Sequence, residues 1–212
     1  SCHSSRGRRH VSIGSNGNAL WIHDLGLQLP ANPADAPGTL PDLGAIKERF
    51  EALFTQAWQG LVESDALNKL VLCTTLDARA ITVLRAYTRY FKQLALPYSQ
   101  AYLHATLLKN ARLAQAIHAL FVQRLEPTPA DDGTGKAPEN RDAATHHRLQ
   151  QIDAALQAVA SLEEDRILRH YVEAVQATLR TNAWQTAADG GPKSVLAFKL
   201  NPRALACVPE PK

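Results

Sequence analysis

The chain has 212 residues, of which 45% are hydrophobic and 20% are charged, and this balance is typical of a globular protein. Its formal net charge of +3 is small and spread along the sequence, which argues against a nucleic-acid partner. The longest apolar runs, such as residues 70–73, are too short to cross a bilayer, and no signal-peptide core follows Ser1, so we expect a cytoplasmic protein without a membrane partner.

The sulfur-containing residues suggest a reducing compartment and a longer parent protein. Cys2, Cys73 and Cys207 are odd in number, widely separated and free of C-x-x-C spacing. The sequence therefore predicts neither a disulfide framework nor a zinc knuckle, and we interpret the three side chains as reduced thiols. The chain contains no methionine and so lacks an initiator, which we interpret as the mark of a processed or truncated product.

The first 41 residues are expected to contain little regular structure. Residues 1–18 are rich in Ser, Gly, Arg, His and Asn with almost no apolar periodicity, which predicts a mobile end. The apolar run at residues 19–25 predicts a short strand or the remnant of one. Four prolines between residues 29 and 41 predict an extended linker, because proline has no amide donor and disfavours helix in the preceding residue.

A first helical segment is predicted over residues 42–126. A helix begins near Asp42, because apolar residues then recur at helical spacing, at Leu43, Ile46, Phe50, Leu53, Phe54 and Ala57. Polar residues mark the later helix starts: Ser64 for a short helix over 65–73, Thr74 in a capping box with Asp77, Ser99 after a break at Pro97, and Asn110 before a helix over 111–125.

The helix that contains residues 84–93 is strongly amphipathic. Ala80, Leu84, Tyr87, Phe91 and Leu94 line one side at spacings of three and four, so Tyr87 and Phe91 are expected to be core residues. Three basic residues fall on the opposite side. The candidate interface residues of this chain are therefore Arg85, Arg89, Tyr90 and Lys92, with Tyr90 the one aromatic residue that the apolar stripe does not account for.

A flexible linker over residues 127–141 is predicted to lead into a second helical segment over 142–186. Ser161 and Glu164 form the clearest capping box of the chain at the start of its second helix. Residues 187–212 are expected to hold a strand near 194–200 and an extended C-terminus. The predicted fold class is mainly α, a bundle-like array of several helices with a short N-terminal strand remnant and a C-terminal β or extended segment.

Chemical motifs are scarce, and structural interpretations outweigh catalytic ones. Adjacent His146 and His147 point to different faces of a helix and are interpreted as solvated, not as metal ligands. The neighbours His23 and Asp24, and likewise His170 and Glu173, could form acid–base pairs, but no nucleophile motif lies near them. The Gly-Thr-Gly-Lys run at 133–136 lacks the first glycine and the Ser or Thr of a phosphate-binding loop.

Four segments carry a family resemblance: 66–72, 84–102, 164–182 and 194–200. In this order they resemble the helical region that precedes the catalytic core of the large bacterial NAD-dependent glutamate dehydrogenases, and the likeness extends roughly from Trp21 to Lys212. The resemblance implies a parent enzyme that oxidises L-glutamate with NAD and water to 2-oxoglutarate, ammonium and NADH.

The resemblance also sets expectations about what this chain lacks. The family's catalytic lysine and aspartate are expected in a core that begins beyond Lys212, and no residue here matches those motifs. No glycine-rich dinucleotide fingerprint is present either, so NAD is expected to bind elsewhere in the parent enzyme. The expected partners are that catalytic core and the other subunits of a homo-oligomer, and the expected role is structural, regulatory or oligomerising.

Two other functions remain open from the sequence. The chain could be a free-standing helical interaction module that binds an acidic partner or nucleic acid through Arg85, Arg89 and Lys92. It could also be a decayed fragment without a function of its own, which would expose apolar surface and unfold without cooperativity.

Overall fold

The computed structural model describes residues 9–13, 19–23, 42–127, 139–206 and 208. It divides the chain into two compact units, Ser1–Pro41 and Asp42–Lys212. The linkers predicted at 29–41 and 127–141 lie wholly or mostly outside the described residues, as do Cys2, Cys207, Asp24 and the 133–136 glycine run.

The first unit contains an antiparallel strand pair. Strand β1 spans Arg9–Ile13 and strand β2 spans Ala19–His23, with Arg9 opposite His23. The strand expected near residues 19–25 is present, whereas β1, which lies within the predicted mobile end at 1–18, was not expected. Two apolar residues, Val11 and Ile13, alternate with polar neighbours there, and five residues are too few for such an alternation to stand out.

The second unit is built mainly from helices, as expected. The α-helices are α1 (Leu43–Trp58), α2 (Leu70–Cys73), α3 (Ala78–Gln93), α4 (Gln100–Lys109), α5 (Ala111–Leu125), α6 (Glu139–Leu156) and α7 (Leu162–Ala177). Short 3₁₀ turns cover Ala66–Lys69 and Pro202–Ala204. Within the described ranges, none of the helices combines the length and the apolar character that a transmembrane span requires.

A small antiparallel sheet follows the last helix. Strand β3 spans Thr178–Thr181 and pairs with strand β4, Phe198–Leu200, with a register irregularity between Thr178 and Arg180. The strand predicted near 194–200 is confirmed. Strand β3 was not expected, because no glycine or proline separates it from α7 and the helical spacing of apolar residues continues through Leu179.

Polar caps set most of the helix starts. Helix α1 begins where it was predicted, and Asp42 accepts hydrogen bonds there from the amides of Gly44 and Ala45, at 3.0 and 3.2 Å. The predicted cap Ser99 accepts one from Tyr102 at 3.1 Å. Because each cap satisfies an amide that the helix itself cannot pair, both residues stabilise the first turn.

Three capping predictions need correction. Asp65, not Ser64, caps the 3₁₀ turn, and Asp77, not Thr74, caps α3 through the Ala80 amide at 2.8 Å. The hydroxyl of Thr74 instead donates to a carbonyl of α2. Ser161 does cap α7, but the Glu164 carboxylate does not complete the box, because the ammonium of Lys109 holds it at 2.7 Å.

Helix α3 lies at the centre of the hydrophobic core of the second unit. Its predicted apolar stripe is buried, with Leu84 and Phe91 fully covered and Tyr87 only 1% exposed. Helices α4, α5 and α7 contribute many of the other large buried side chains, with further ones from the first 3₁₀ turn, α2 and α6, so both predicted helical segments share this core. The α7 and β3 region therefore depends on the earlier helices for its burial.

We expect Asp77→Ala to lower the free energy of unfolding by about 1 kcal/mol, because the amide that opens α3 loses its acceptor. Asp77→Asn retains an acceptor and should stay within about 0.5 kcal/mol of the unsubstituted chain. Urea denaturation of the three proteins provides the measurement. Equal losses in both variants would show that the carboxylate charge, and not the cap, is what matters.

Candidate functional site

One of the four candidate interface residues, Arg85, is buried and so does not belong to the surface of α3. This side chain was expected to face away from the core, yet it is only 2% exposed, and that expectation is wrong. Its guanidinium forms a bidentate pair with the Asp65 carboxylate, from Nε at 2.6 Å and Nη2 at 3.0 Å, and donates to Asn68 Oδ1 at 2.8 Å. The 3₁₀ turn thus covers this side of α3.

The other three candidate residues have different environments. Arg89 is exposed and forms an ion pair with Glu63, and Lys92 is exposed. Tyr90 is partly buried, packs against the core and has its ring centroid 6.3 Å from that of Phe91. Because Arg85 is withdrawn from the surface, the four residues do not make one exposed basic face, and a binding role for Arg89, Tyr90 and Lys92 stays a prediction.

Electrostatics explain how a charge can be buried on α3. Burial alone would raise the pKa of the Asp65 carboxyl, but the hydrogen bond and charge of Arg85 outweigh it and hold that pKa below its ordinary value. The two residues therefore remain a charged pair, and with Asn68 and His104 they form what we call the Arg85 cluster.

His104 of α4 is the member of the Arg85 cluster whose charge is disfavoured. The side chain is 3% exposed, and its Nε2 has no hydrogen-bond partner among the described residues. Burial lowers the pKa of the imidazole, Asp65 and Glu63 oppose that shift, and Arg85 adds to it. His104 is therefore neutral near pH 7, and the cluster joins the 3₁₀ turn, α3 and α4 without an accessible acid or base.

Two buried hydroxyl pairs join α3 to the last helix and the sheet. The Tyr87 hydroxyl lies 2.7 Å from Thr178 Oγ1, and Thr88 Oγ1 lies 2.6 Å from the Tyr171 hydroxyl. Burial raises the pKa of both tyrosines above the ordinary value, although the bonded threonines oppose the shift. The tyrosines stay protonated and act as hydrogen-bonding anchors.

An aromatic cluster surrounds the first of these pairs. The Phe121 ring stacks on Trp184 with centroids 5.3 Å apart, and the Phe198 ring lies 5.0 Å from Tyr87 and 5.9 Å from Phe121. We call the contact surface made by Tyr87, Thr88 and Phe121 on one side, and Tyr171, Thr178, Trp184 and Phe198 on the other, the junction.

Two arginines extend the junction to main-chain groups. Arg79 donates to the carbonyl oxygens of Ala183 and Lys193, both at 3.2 Å, and Arg124 donates to the carbonyl of Val175. The sequence did not predict a role for either arginine, because their acceptors are main-chain carbonyl groups, which every residue type has. Their bonds hold the β3–β4 connection and the end of α7 against the earlier helices.

The histidines do not assemble a chemical site in the described part of the chain. His146 and His147 are exposed, as the solvated interpretation predicts. His170 Nδ1 and Glu173 Oε2 are 3.6 Å apart, which is too long for a hydrogen bond. Among the described residues, no three His, Cys, Asp or Glu side chains lie close enough together to hold a metal ion.

Two surface depressions lie in the described ranges. One, between α5 and α6, encloses about 100 Å³, and the other, between the end of α6 and the start of α7, encloses about 300 Å³ but is wide open to solvent. Small-molecule sites usually enclose roughly 300–1,000 Å³. The features that distinguish this unit are therefore its internal contact surfaces, namely the Arg85 cluster and the junction.

We expect Asp65→Asn to lower the free energy of unfolding by about 3 kcal/mol, because the buried guanidinium of Arg85 loses its bidentate countercharge and keeps only the longer contact with Glu63, at 3.9 Å. Adding Arg85→Met should recover part of that loss by removing the stranded charge. Glu63→Gln removes the exposed pair with Arg89 and a longer ion pair with Arg85, at 3.9 Å, and should cost less than Asp65→Asn, about 1 kcal/mol. Chemical denaturation tests all three, and a double variant less stable than Asp65→Asn would contradict the account.

Stability should fall as the pH drops below the ordinary histidine pKa of 6.5. Burial lowers the pKa of both His104 and His118, so the unfolded chain binds more protons than the folded one between 6.5 and the lowered values. His104→Leu should reduce this pH dependence without abolishing it, because His118 remains. Urea midpoints measured across the range would refute the assignment if the substitution left the dependence unchanged.

Two family models match the chain. Residues 62–127 match glutamate dehydrogenase, helical motif 3, and residues 151–212 match the catalytic domain of bacterial NAD-glutamate dehydrogenase. The resemblance implied that the catalytic core begins beyond Lys212, but the catalytic-domain match already begins at residue 151. Helix α7 and strands β3 and β4 therefore lie within the catalytic-domain region.

Three curated relatives are each called NAD-specific glutamate dehydrogenase. The chain is 32% identical to the Halomonas elongata protein, 35% to that of Pseudomonas aeruginosa and 33% to that of Mycobacterium tuberculosis. The alignments cover 97%, 92% and 93% of this chain but only 12%, 11% and 12% of the relatives. The chain belongs to the bacterial NAD-specific glutamate dehydrogenase family, and it spans about one eighth of the length of these relatives.

Proposed function

We propose that this chain is a non-catalytic structural segment of an NAD-dependent glutamate dehydrogenase, in which helical motif 3 supports the beginning of the catalytic domain. The complete enzyme would convert L-glutamate, NAD and water to 2-oxoglutarate, ammonium and NADH. The names of the curated relatives support this reaction for the parent protein. The role proposed for the segment itself depends on the junction.

The observation that carries the proposal is that both family-model regions share one hydrophobic core. Tyr87 and Phe121 belong to helical motif 3, and Thr178 and Trp184 belong to the catalytic-domain region. The two sides meet through a buried hydroxyl pair and stacked rings. A contact of this kind supports a fixed orientation, because buried hydroxyls that lose their partners are costly.

The small sheet explains why such support is needed. A two-stranded sheet is marginally stable in water unless it packs on other elements. Strand β4 places Phe198 against α3 and α5 residues, and the main-chain bonds from Arg79 hold the connection between the strands. Helical motif 3 therefore supplies the packing surface on which the first strands of the catalytic domain are held.

The alternative function, an interaction module that uses Arg85, Arg89 and Lys92, has less support from the geometry. Arg85 is buried and paired with Asp65, so it is not accessible to an acidic partner or to phosphate. Replacing Arg89 and Lys92 alone would test the remaining basic surface in a binding assay at low ionic strength.

We expect the isolated chain to form no NADH from glutamate and NAD, because the proposal places the catalytic machinery in another part of the enzyme. A chimera in which this chain replaces the aligned segment of the Pseudomonas aeruginosa relative should be active. An absorbance assay for NADH compares the two proteins. Activity of the isolated chain above a heat-inactivated blank would refute the proposal.

Phe121→Ala in the same chimera should accelerate heat inactivation, since it removes a fully packed ring from the junction and costs about 3–5 kcal/mol locally. Leu162→Ala provides a matched control, because that side chain is 69% exposed and its truncation should change little. Equal inactivation rates for the two variants would mean that the junction does not support the catalytic domain.

A further inference from the structure

The β3–β4 sheet carries two positive charges directly opposite each other on its outer face, the one that points away from the junction residues Thr178 and Phe198. Arg180 of β3 pairs with Lys199 of β4 in the strand register, and both side chains are exposed. Residues in such a pair have Cβ atoms roughly 4.5–5.5 Å apart, so like charges there destabilise the sheet. Among the described residues, neither side chain has a hydrogen-bond or ion-pair partner.

The register irregularity of β3 contributes to this arrangement. Thr178 pairs with Leu200 and Arg180 with Lys199, so Leu179 is an extra residue on β3. An extra residue of this kind sets two residues of one strand opposite one residue of the other and re-aims a side chain. Accordingly, Leu179 and Arg180 are both exposed, whereas Thr178 is buried. We call Leu179, Arg180 and Lys199 the outer sheet patch.

The sequence around the outer sheet patch does not compensate its charge. Residues 178–206 contain four basic residues and one acidic residue, namely Arg180, Lys193, Lys199, Arg203 and Asp189. Exposed cations on the helices do form ion pairs, as Arg89 does with Glu63, Lys109 with Glu164 and Arg169 with Asp165. The sheet therefore carries an excess of positive charge that the described residues leave unpaired.

The composition of the outer sheet patch favours a protein as its partner. Leu179 is 53% exposed beside the two charges, and Val195, in the connection that leads to β4, is 70% exposed. A protein surface covers apolar side chains and supplies carboxylates at the same time. A nucleic acid or a free anion would neutralise the two cations but would leave the apolar side chains in water.

We propose that the outer sheet patch binds an acidic segment of the catalytic domain of the parent enzyme, a segment outside these 212 residues. The proposal rests on the proposed function, because residues 151–212 match the catalytic domain and the chain spans only 11% or 12% of its relatives. A carboxylate placed between Arg180 and Lys199 converts a repulsive pair into a bridged one. The sheet then lies between helical motif 3 on its inner face and the acidic segment on its outer face.

Reversing one charge separates the effect within this chain from the effect on the partner. In the isolated chain, Lys199→Glu replaces a like-charge pair by an opposite one, so we expect the midpoint of urea unfolding to rise. In the chimera with the Pseudomonas aeruginosa relative, Lys199→Glu repels the acidic segment, so we expect heat inactivation to be about fivefold faster or more. Opposite signs in the two proteins are the expected result.

A double variant and a control complete the comparison. Arg180→Glu combined with Lys199→Glu restores a like-charge pair, so the urea midpoint of the isolated chain should return toward that of the unsubstituted chain, while the chimera should inactivate fastest. Lys69→Glu is the matched control, because Lys69 is also exposed but lies in the first 3₁₀ turn, outside the catalytic-domain region. It should change both proteins in the same direction.

Three other results would overturn the proposal. If Lys199→Glu inactivates the chimera no faster than Lys69→Glu does, no acidic segment covers the sheet. A loss of stability in both proteins means that Lys199 acts within this chain. Binding of single-stranded DNA by the isolated chain that Lys199→Glu abolishes identifies a nucleic-acid partner. The proposed function is tested separately by Phe121→Ala, because Phe121 contacts the inner face of the sheet through Phe198.

Discussion

The pairing of Asp65 with Arg85 is the constraint on which the arrangement of the helices depends. Helix α3 is packed by elements on several sides, and a guanidinium on such a helix would cost several kcal/mol without a countercharge. The 3₁₀ turn supplies that countercharge, and because Asp65 also caps the turn, one carboxylate fixes both the local conformation and its position against α3. The chain between α1 and α3 must therefore fold back across the helix that follows it.

Local sequence patterns predicted most of the helices of the second unit. The predictions that were wrong concern residues whose partners lie far away in the sequence. The apolar stripe of α3, the start of α1 near Asp42 and the cap at Ser99 were recognisable because the residues that form each pattern lie within a few positions of one another. Arg85 was assigned to solvent because an amphipathic pattern places every charge on the outer side. Its partner Asp65 lies 20 residues earlier, and no periodicity reports an ion pair at that separation.

The junction also depends on contacts between residues that are far apart in the sequence, which local patterns do not predict. The sequence correctly identified Tyr87 and Phe91 as core residues, yet it did not indicate which elements cover them. Thr178 lies 91 residues from Tyr87. The boundary between the two matched family regions also does not coincide with a physical boundary, because the residues on both sides of it share one core. Regions defined by sequence comparison are not separate folding units here.

The separation between the two sides of the junction has a consequence for the order of folding. Contacts within helices α3–α5 are local and form early, whereas the Thr88–Tyr171 and Tyr87–Thr178 pairs close loops of 83 and 91 residues and carry a larger entropic cost. During synthesis the earlier helices leave the ribosome first. Tyr87 and Phe121 can contact each other at that stage, but we expect the sides of their rings that face Thr178 and Trp184 to stay exposed to water until α7 and the strands emerge and dock.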